Sequence, residues 1–504
     1  MTTPERPVSS RGASANAVFL GAILLGSAAL RLLHLDYSHF QGDEIQALYP
    51  VAMPFPESLL EQLKGPIQLL ITGAVHVITG SFGEWETRLP FSIASLAGVY
   101  AVYLVTRDAF GRRPALWSAA LAGSCGLVVA FGRIVQYQAF VMLAVTLAAL
   151  FLLRWLQRDR SYLLYFGMVC FALAVLAHYD ALTFLPALLL LLLFGFLRPE
   201  QRTPSRLRHL GLACLLGAAL VGAFYVPFVF RPGFTSVADY LQGRVAAGVG
   251  WETFPRTSQL LALYLPPMYL QIVTLLTLLG GAAALRRNAR PFGLVVVVWF
   301  AAPFIFYMFL GGQPRSHVYT FVLPAMILAG LGIDTFIAAV RNRGAGRVTQ
   351  AAFWAAILAS AAVTYYMLVD HAREHPWESK TVLGLEFPNL VNDRVQGVFG
   401  FPYRRGLDRV GDMFRSGELQ GTFDSNERDL TVRYYFGAER SSPPAVYFDA
   451  AGSVPPDYYF FVHRPFSLRR DLPETVKATY RWIGTIEENG RPAVEIYAAP
   501  WTDS

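Results

Sequence analysis

Charged residues are scarce in this chain. Asp, Glu, Lys and Arg make up 15% of its 504 residues, whereas soluble domains carry about 25%. Hydrophobic residues account for 54% of the chain, and its mean hydropathy is +0.40. This composition argues against an ordinary soluble domain and predicts a protein that crosses a membrane many times.

Cysteines and the usual catalytic signatures are also scarce. The three cysteines lie inside apolar stretches, where a buried thiol is ordinary: Cys125, Cys170 and Cys214. Their spacing forms neither a disulfide framework nor a zinc site. The sequence has no Gly-rich phosphate cradle with lysine, no H-E-x-x-H helix and no serine elbow. The net charge of +7 comes from arginines between apolar runs, so no nucleic-acid partner is predicted.

Long apolar runs are what the chain does have. Runs of about 17 to 25 residues suit helices that cross a bilayer. They predict eleven spans, near 16–35, 88–106, 115–132, 137–153, 161–177, 181–197, 210–229, 259–283, 292–310, 318–340 and 351–369. The first is too long and lacks a small-residue cleavage site, so we expect it to be retained rather than cleaved as a signal peptide.

The orientation follows from clusters of arginine in every second loop. The clusters begin at Arg6, Arg107, Arg154, Arg198, Arg286 and Arg341. With a cytoplasmic N-terminus, all of them obey the positive-inside rule. The apolar stretch Ile67–Thr79 must then be excluded as a span. It is short and follows Pro66, so it and Glu57–Leu63 are predicted to lie at the membrane surface within a first outer loop, 36–87.

After residue 369 the sequence becomes charged and rich in turns. Alternating or aromatic runs predict strands at Ala445–Asp449, Tyr458–Val462 and Ala493–Ala498. We therefore expect a membrane domain over 1–369 and a soluble α/β domain over 370–504. By the parity of the spans, this second domain lies outside the cytoplasm, and the protein resides in the cytoplasmic (inner or plasma) membrane of the cell envelope.

Two adjacent carboxylates, Asp43 and Glu44, follow the first span. An ionised carboxylate is costly near hydrocarbon, so a pair at the membrane surface indicates a site for chemistry or ion binding. Basic residues also occur in the outer loops, where the positive-inside rule leaves few: Lys64, Arg88, Arg133, Arg231, Arg244, Arg256 and Arg315. Each alone is equally explained as a cation reaching lipid headgroups. Together with the acid pair, they suggest an anionic ligand.

Several short motifs occur in a characteristic order. They are F-Q-G-D-E (Phe40–Glu44), K-G-P (Lys64–Pro66), W-E-T-R-L-P (Trp85–Pro90), A-F-G-R-R (Ala109–Arg113), G-R-I-V-Q-Y-Q (Gly132–Gln138) and, more weakly, P-R-S-H-V-Y-T-F-V-L-P (Pro314–Pro324). The chain resembles the GT-C glycosyltransferases, and more narrowly the group of protein O-mannosyltransferases and lipid A aminoarabinose transferases. The resemblance is best over residues 15–200. It implies a polytopic α-helical enzyme that transfers a sugar from a polyprenyl-phosphate donor on the extracytoplasmic face.

The resemblance also implies roles for the acid pair. Sugar transfer from a lipid phosphate needs a carboxylate to accept the proton of the acceptor and positive charge to stabilise the leaving phosphate. The resemblance assigns the base to Asp43, with Glu44 orienting the acceptor or assisting, and direct displacement predicts inversion at the anomeric carbon. The two carboxylates are also candidate ligands for a divalent cation. The alternative is that they cap a surface helix that starts at Ile45.

Two basic residues are implied to contact the donor phosphate. Lys64 matches a basic residue that precedes a Pro-Pro pair in the family, although Gly65 replaces the first proline here. Arg133 matches an arginine at the outer end of a span. For Arg133, a structural ion pair with Asp43 or Glu44 is an equally good interpretation.

The chain departs from the family at Gln138. The aminoarabinose branch has aspartate there, and glutamine cannot act as a base or as a charged metal ligand. Asp180, in the motif His178–Asp180, is the nearest candidate substitute, while His178 is also explained as an interfacial histidine without a role. The remaining candidate substrate contacts are Tyr137, Arg315, His317 and Tyr319, of which Tyr319 also fits an interfacial aromatic belt.

Two other classes of protein remain open. A transporter or lipid flippase also has many spans and charges, but transporters tend to show internal repeats and charges at mid-span, whereas here the charges gather at one face. A non-enzymatic assembly or sensor protein would leave the acid pair unexplained. The acceptor is open among lipids, glycans and proteins, and the sugar is not specified by the sequence.

Overall fold

The computed structural model describes most of the chain. The described residues are 10–48, 57–60, 64–197, 202–231, 234–235, 238–239, 242, 253–265, 267–286, 290–310, 315–341, 345–382, 384–387, 389, 398–437, 455–467, 469 and 471–502. The predicted strand Ala445–Asp449 therefore lies outside the described residues.

The described part of the chain up to residue 368 is mostly helical. Its helices are α1 (Ser10–Leu32), α2 (Gly42–Ile45), α3 (Glu57–Leu60), α4 (Ile67–Thr79), α5 (Glu84–Phe110), α6 (Arg112–Ser124), α7 (Gly126–Gly132), α8 (Gln138–Arg158), α9 (Ser161–Ala177), α10 (Leu185–Phe194), α11 (Pro204–Val229), α12 (Thr253–Tyr264), α13 (Pro267–Arg286), α14 (Arg290–Ile305), α15 (Tyr319–Arg341) and α16 (Gly346–Leu368). Short 3₁₀ helices at Tyr179–Phe184 and Arg315–Val318 precede α10 and α15, and a π-helical turn at Phe306–Leu310 follows α14.

Within the described residues, seven helices are long and apolar enough to cross a membrane, and the bent pair α6 and α7 makes an eighth. Three shorter apolar helices, at Asn16–Leu32, Ser161–Ala177 and Tyr179–Phe194, coincide with the first, fifth and sixth predicted spans. The eighth predicted span, 259–283, is divided between α12, which ends at Tyr264, and α13, which begins at Pro267, a residue that cannot continue a preceding helix. The expected multi-span helical architecture is confirmed.

The first outer loop contains the short helices that the sequence predicts. Helix α4 has the expected limits, Ile67–Thr79, and is 13 residues long. Helix α3 covers Glu57–Leu60, and the rest of the predicted segment lies outside the described residues. The acid pair lies in α2, which begins at Gly42 and not at Ile45, so both carboxylates belong to its first turn. The placement of α3 and α4 at a membrane surface stays a prediction.

The C-terminal part contains the predicted small α/β unit. Its helices and strands are β1 (Lys380–Val382), β2 (Leu385–Phe387), α17 (Leu407–Ser416), β3 (Phe423–Ser425), α18 (Asp429–Phe436), β4 (Tyr458–Val462), α19 (Glu474–Thr479), β5 (Arg481–Glu488) and β6 (Arg491–Ala498). The four-stranded sheet has the order β3-β4-β6-β5, with β3 and β4 parallel and the other pairs antiparallel. Strand β4 has the predicted limits, and β6 contains the predicted strand Ala493–Ala498.

The segment predicted as the first outer loop and the C-terminal sheet share one hydrophobic core. Phe40 and Ile45, on either side of the acid pair, pack in the same buried cluster as Phe423 and Phe460 of the sheet. A second and larger cluster fills the space between the membrane helices. The two parts of the chain therefore meet at the segment that carries Asp43 and Glu44, although the boundary between two domains at 369 stays a prediction.

Candidate active site

Glu44 is buried in a complete set of polar contacts. Both of its oxygens accept from Arg88, with Nε to Oε1 and Nη2 to Oε2 each at 3.0 Å. The backbone N–H of Val135 donates to Oε1 at 2.8 Å, and that of Gln41 donates to Oε2 at 2.9 Å. Arg88 also donates to carbonyls of the first loop. This two-point pair ties the start of α5 to the loop, so Glu44 has no oxygen left for a metal ion or an acceptor.

Asp43, in contrast, is only partly buried, and a chain of two amides approaches it. Gln136 Nε2 donates to Asp43 Oδ2 at 3.3 Å, and Gln138 Nε2 donates to Gln136 Oε1 at 2.9 Å. Gln138 is fully buried, and its contact sets the amide of Gln136 with the NH₂ group toward the carboxylate. Gln138 thus contacts Asp43 indirectly, through the amide of Gln136.

Lys64 contacts the next residue of the same segment. Its Nζ is 5.0 Å from the centre of the Tyr137 ring, within the range of a cation–π contact. The Tyr137 ring also stacks on His178, with ring centres 3.8 Å apart and planes 10° from parallel. Since Gln136 and Tyr137 are consecutive, one short segment reaches both the carboxylate of Asp43 and the amine of Lys64.

Asp180 is the centre of a buried polar cluster. Tyr307 donates to its Oδ1 at 2.8 Å, Tyr319 donates to its Oδ2 at 3.0 Å, and His317 Nδ1 is 2.6 Å from Oδ2. His178 Nδ1 is 3.2 Å from Oδ1. The structure therefore brings together four residues that the sequence singled out separately. Tyr307 was missed, because it lies in an apolar aromatic run, Phe304–Leu310, where nothing distinguishes it from core.

Arg133 lies at the end of α7, as expected, but its contacts differ from the suggested ones. Its guanidinium donates to the carbonyls of four residues at the end of α1: Leu30, Arg31, Leu33 and His34, at 2.9 to 3.2 Å. It thereby satisfies carbonyls that a helix end leaves without partners. The alternative ion pair is not what the structure has either, because Arg88 is the arginine that binds Glu44. Arg315 begins the 3₁₀ helix before α15, and its side chain lies outside the described residues.

The C-terminal part holds the loop that carries Asp43. Tyr435 accepts from the backbone N–H of Phe40 at 2.6 Å and donates to Glu84 at 2.8 Å. His39 Nε2 donates to Asp408 at 3.2 Å. Burial alone would raise the pKa of Asp408, but the hydrogen bond and charge of His39, with the charge of Arg404, outweigh burial and hold it below its usual range. The loop is thus held by α17 and α18 on one side and by Arg88 on the other.

Gly65 packs so closely against the backbone of α9 that a larger residue does not fit there. A Cβ at this position would lie 1.9 Å from the carbonyl oxygen of Leu176, at the end of α9. We expect Gly65→Ala to lower the melting temperature of the detergent-purified protein and to weaken donor binding, because Lys64 must move with the loop. The matched control is Gly73→Ala in α4, where a Cβ meets nothing within 4 Å and helix propensity improves. Equal melting temperatures for the two variants would contradict this account.

The arrangement has the fold of a known class of membrane enzymes. The sequence model of the family described as dolichyl-phosphate-mannose-protein mannosyltransferase matches residues 64–225. No curated protein matches the chain by sequence. The likeness to solved structures, in contrast, extends over nearly the whole chain and identifies the GT-C fold.

Three solved structures illustrate this likeness. ArnT from Cupriavidus metallidurans bound to undecaprenyl phosphate has a TM-score of 0.58 at 15% identity, over 97% of this chain and 98% of that one. The same protein in the apo state has a TM-score of 0.55 at 15% identity, with the same coverage. The archaeal oligosaccharyltransferase AglB from Archaeoglobus fulgidus, in complex with an inhibitory peptide and a dolichol-phosphate, has a TM-score of 0.51 at 15% identity, over 87% of this chain and 61% of that one. The expected GT-C fold is confirmed.

Proposed function

We propose that this chain is an inverting glycosyltransferase that moves a sugar from a polyprenyl-phosphate donor to an acceptor on the extracytoplasmic face of the cytoplasmic membrane. The observation that carries the proposal is that Asp43 and Lys64 contact two consecutive residues, Gln136 and Tyr137, within a GT-C fold. The ligands named for the structural neighbours, undecaprenyl phosphate and dolichol-phosphate, support a lipid phosphate as the carrier of the sugar.

In the proposed reaction Asp43 is the general base. Its carboxylate takes the proton from the acceptor hydroxyl as that oxygen attacks the anomeric carbon. The bond between this carbon and the phosphate oxygen breaks, and polyprenyl phosphate leaves with the bonding electron pair. A single displacement with one base inverts the anomeric configuration. Partial exposure lets Asp43 meet an acceptor, whereas Glu44 holds the loop in place.

Lys64 is the proposed contact for the phosphate. Its charge would stabilise the negative charge that develops on the leaving group. The guanidinium of Arg133 donates to carbonyls at the end of α1. We therefore assign it a structural role rather than the phosphate contact that the sequence suggested. The orientation with the N-terminus in the cytoplasm and the C-terminal part outside rests on the arginine clusters.

The proposal is tested by donor binding and transfer. Purified protein in nanodiscs would be titrated with a panel of undecaprenyl- and dolichyl-phosphate sugars. Transfer would then be followed with the bound donor and candidate lipid, glycan and peptide acceptors. Binding of one donor and an inverted glycosidic product would support the proposal. The absence of binding to every polyprenyl-phosphate sugar would contradict it, and a retained anomeric configuration would contradict the single displacement.

Lys64→Ala is expected to weaken donor binding by about tenfold to a hundredfold, on the scale of one charge-assisted contact. Lys64→Arg keeps the charge and should retain most of the affinity. Arg133→Ala is the comparison variant: it should lower the melting temperature while leaving the affinity of the remaining folded protein near that of the wild type. Equal donor affinity in Lys64→Ala and wild type would contradict the phosphate contact.

A further inference from the structure

The cluster around Asp180 has the composition of a metal site. His178 and Asp180 belong to the turn between α9 and α10, and His317 belongs to the 3₁₀ helix before α15. All three are buried, and one ligand atom from each lies within 4.8 Å of the other two. We propose that His178, Asp180 and His317 bind a divalent transition-metal ion.

Two imidazole nitrogens approach the carboxylate of Asp180 from different parts of the chain. His178 Nδ1 is 3.2 Å from Oδ1, and His317 Nδ1 is 2.6 Å from Oδ2. Imidazole and carboxylate groups are common ligands of transition-metal ions. The convergence of these three side chains at one buried point is the observation that supports a metal site.

The donor set restricts the kind of metal. Two imidazoles and one carboxylate suit Zn²⁺, Mn²⁺, Fe²⁺ or Co²⁺ better than Mg²⁺ or Ca²⁺, which prefer oxygen ligands. Metal–ligand bonds of about 2.0 to 2.2 Å place the ligands of a tetrahedral ion roughly 3.3 to 3.6 Å apart. Atoms that lie within 4.8 Å of one another would therefore move closer by up to about 1.5 Å when the ion binds. Three protein ligands leave at least one coordination position for water or substrate.

The surroundings of Asp180 fit a carboxylate that binds metal. Ligating carboxylates are usually oriented by further hydrogen bonds, and here Tyr307 and Tyr319 each donate to one oxygen. A cavity of about 20 Å³ adjoins Asp180 and Tyr319, which is enough room for about one water molecule. The cavity therefore offers room for about one water molecule beside Asp180.

This placement differs from the acid pair that the sequence offered as a cation site. Glu44 is saturated by Arg88 and two backbone amides, whereas His178 adjoins Tyr137, whose ring also contacts Lys64. A bound ion would supply positive charge beside the proposed phosphate contact. Metal binding does not itself depend on the proposed transferase activity, since it is measured without donor or acceptor.

The test measures metal content directly. The protein is purified through a tag without histidine, stripped with a chelator and incubated with Zn²⁺ or Mn²⁺ alone, and the bound metal is counted by mass spectrometry after desalting. We expect about one ion per wild-type chain and at least a tenfold loss in Asp180→Asn and His317→Ala. The matched control is His463→Ala, which removes a histidine that pairs with Glu495 in the C-terminal sheet and should keep the ion.

Two further measurements can refute the metal site even if a variant folds poorly. Wild-type protein that binds neither metal after stripping overturns it without any variant, and so does unchanged metal content in a folded Asp180→Asn. Co²⁺-loaded protein should also show visible absorption bands that indicate nitrogen ligands, and these should disappear in His317→Ala. A metal-free cluster held by protons alone would leave the transferase proposal unaffected, because Asp43 and Lys64 lie outside it.

Discussion

Asp43→Asn is expected to lower the rate of sugar transfer by about 10²- to 10⁴-fold, the usual contribution of a positioned general base. The amide is nearly isosteric and can still accept the contact from Gln136, but it cannot take the proton of the acceptor. The loss should therefore appear in kcat, while donor affinity and melting temperature stay near those of the wild type. The measurement is the single-turnover rate with saturating donor, together with donor binding.

The control for this variant is Asp412→Asn, which removes an exposed carboxylate of α17 that pairs only with a neighbouring arginine. It should transfer sugar at the wild-type rate. A folded Asp43→Asn that keeps full activity would exclude Asp43 as the base. A loss confined to donor affinity would instead make Asp43 a binding residue.

Glu44→Gln is expected to cause the largest loss of stability of any single carboxylate change in the first loop. It leaves the buried guanidinium of Arg88 without its counter-charge, and breaking a buried ion pair typically costs about 3 to 5 kcal/mol. The measurement is the melting temperature and the free energy of unfolding in a fixed detergent. The double variant Glu44→Gln with Arg88→Met should recover only part of the loss, since Arg88 also binds the carbonyls of Leu35, Ser38 and His39.

An exposed ion pair provides the comparison for this prediction. Asp429 and Arg433, four residues apart in α18, are more than a third exposed, and such pairs contribute at most about 1 kcal/mol. Asp429→Asn should therefore change the melting temperature little. If Glu44→Gln has the melting temperature of the wild type but a much lower rate of sugar transfer, the catalytic assistance suggested by the sequence would be correct. The structural role assigned to Glu44 would then be wrong.

The spans and the helical architecture could be predicted because the bilayer imposes them on the sequence directly. Twenty or so apolar residues in a row have few alternatives to a membrane helix, and α5, α8 and α15 lie where the hydropathy places them. The limits of α4 and β4 were predictable for a similar reason, since proline, glycine and polar residues bound each apolar run. The division of the eighth predicted span, 259–283, was not predicted, because the apolar run continues on both sides of the break.

The candidate site was predictable only as a set of residue types on one face. Asp43 and Glu44 are neighbours in sequence and have the same chemistry, so no local pattern separates a base from a structural ion pair. The separation comes from Arg88, 44 residues away, which reaches Glu44 and leaves Asp43 beside Gln136. The contacts of Arg133 were equally unpredictable from the local sequence, because its guanidinium donates to carbonyls at the end of α1, about 100 residues earlier in the chain.

The sequence by itself determined that this protein is a multi-span helical membrane protein and that a small sheet follows the last span. Hydropathy and charge act on each segment separately, so they can be read along the chain. Only the tertiary structure decided which carboxylate is buried and paired, that Gln138 contacts Asp43 indirectly, through Gln136, and that His178, Asp180, Tyr307 and His317 meet. These contacts join residues up to 139 positions apart, and their geometry depends on how the helices pack against one another, which no local pattern of residues specifies.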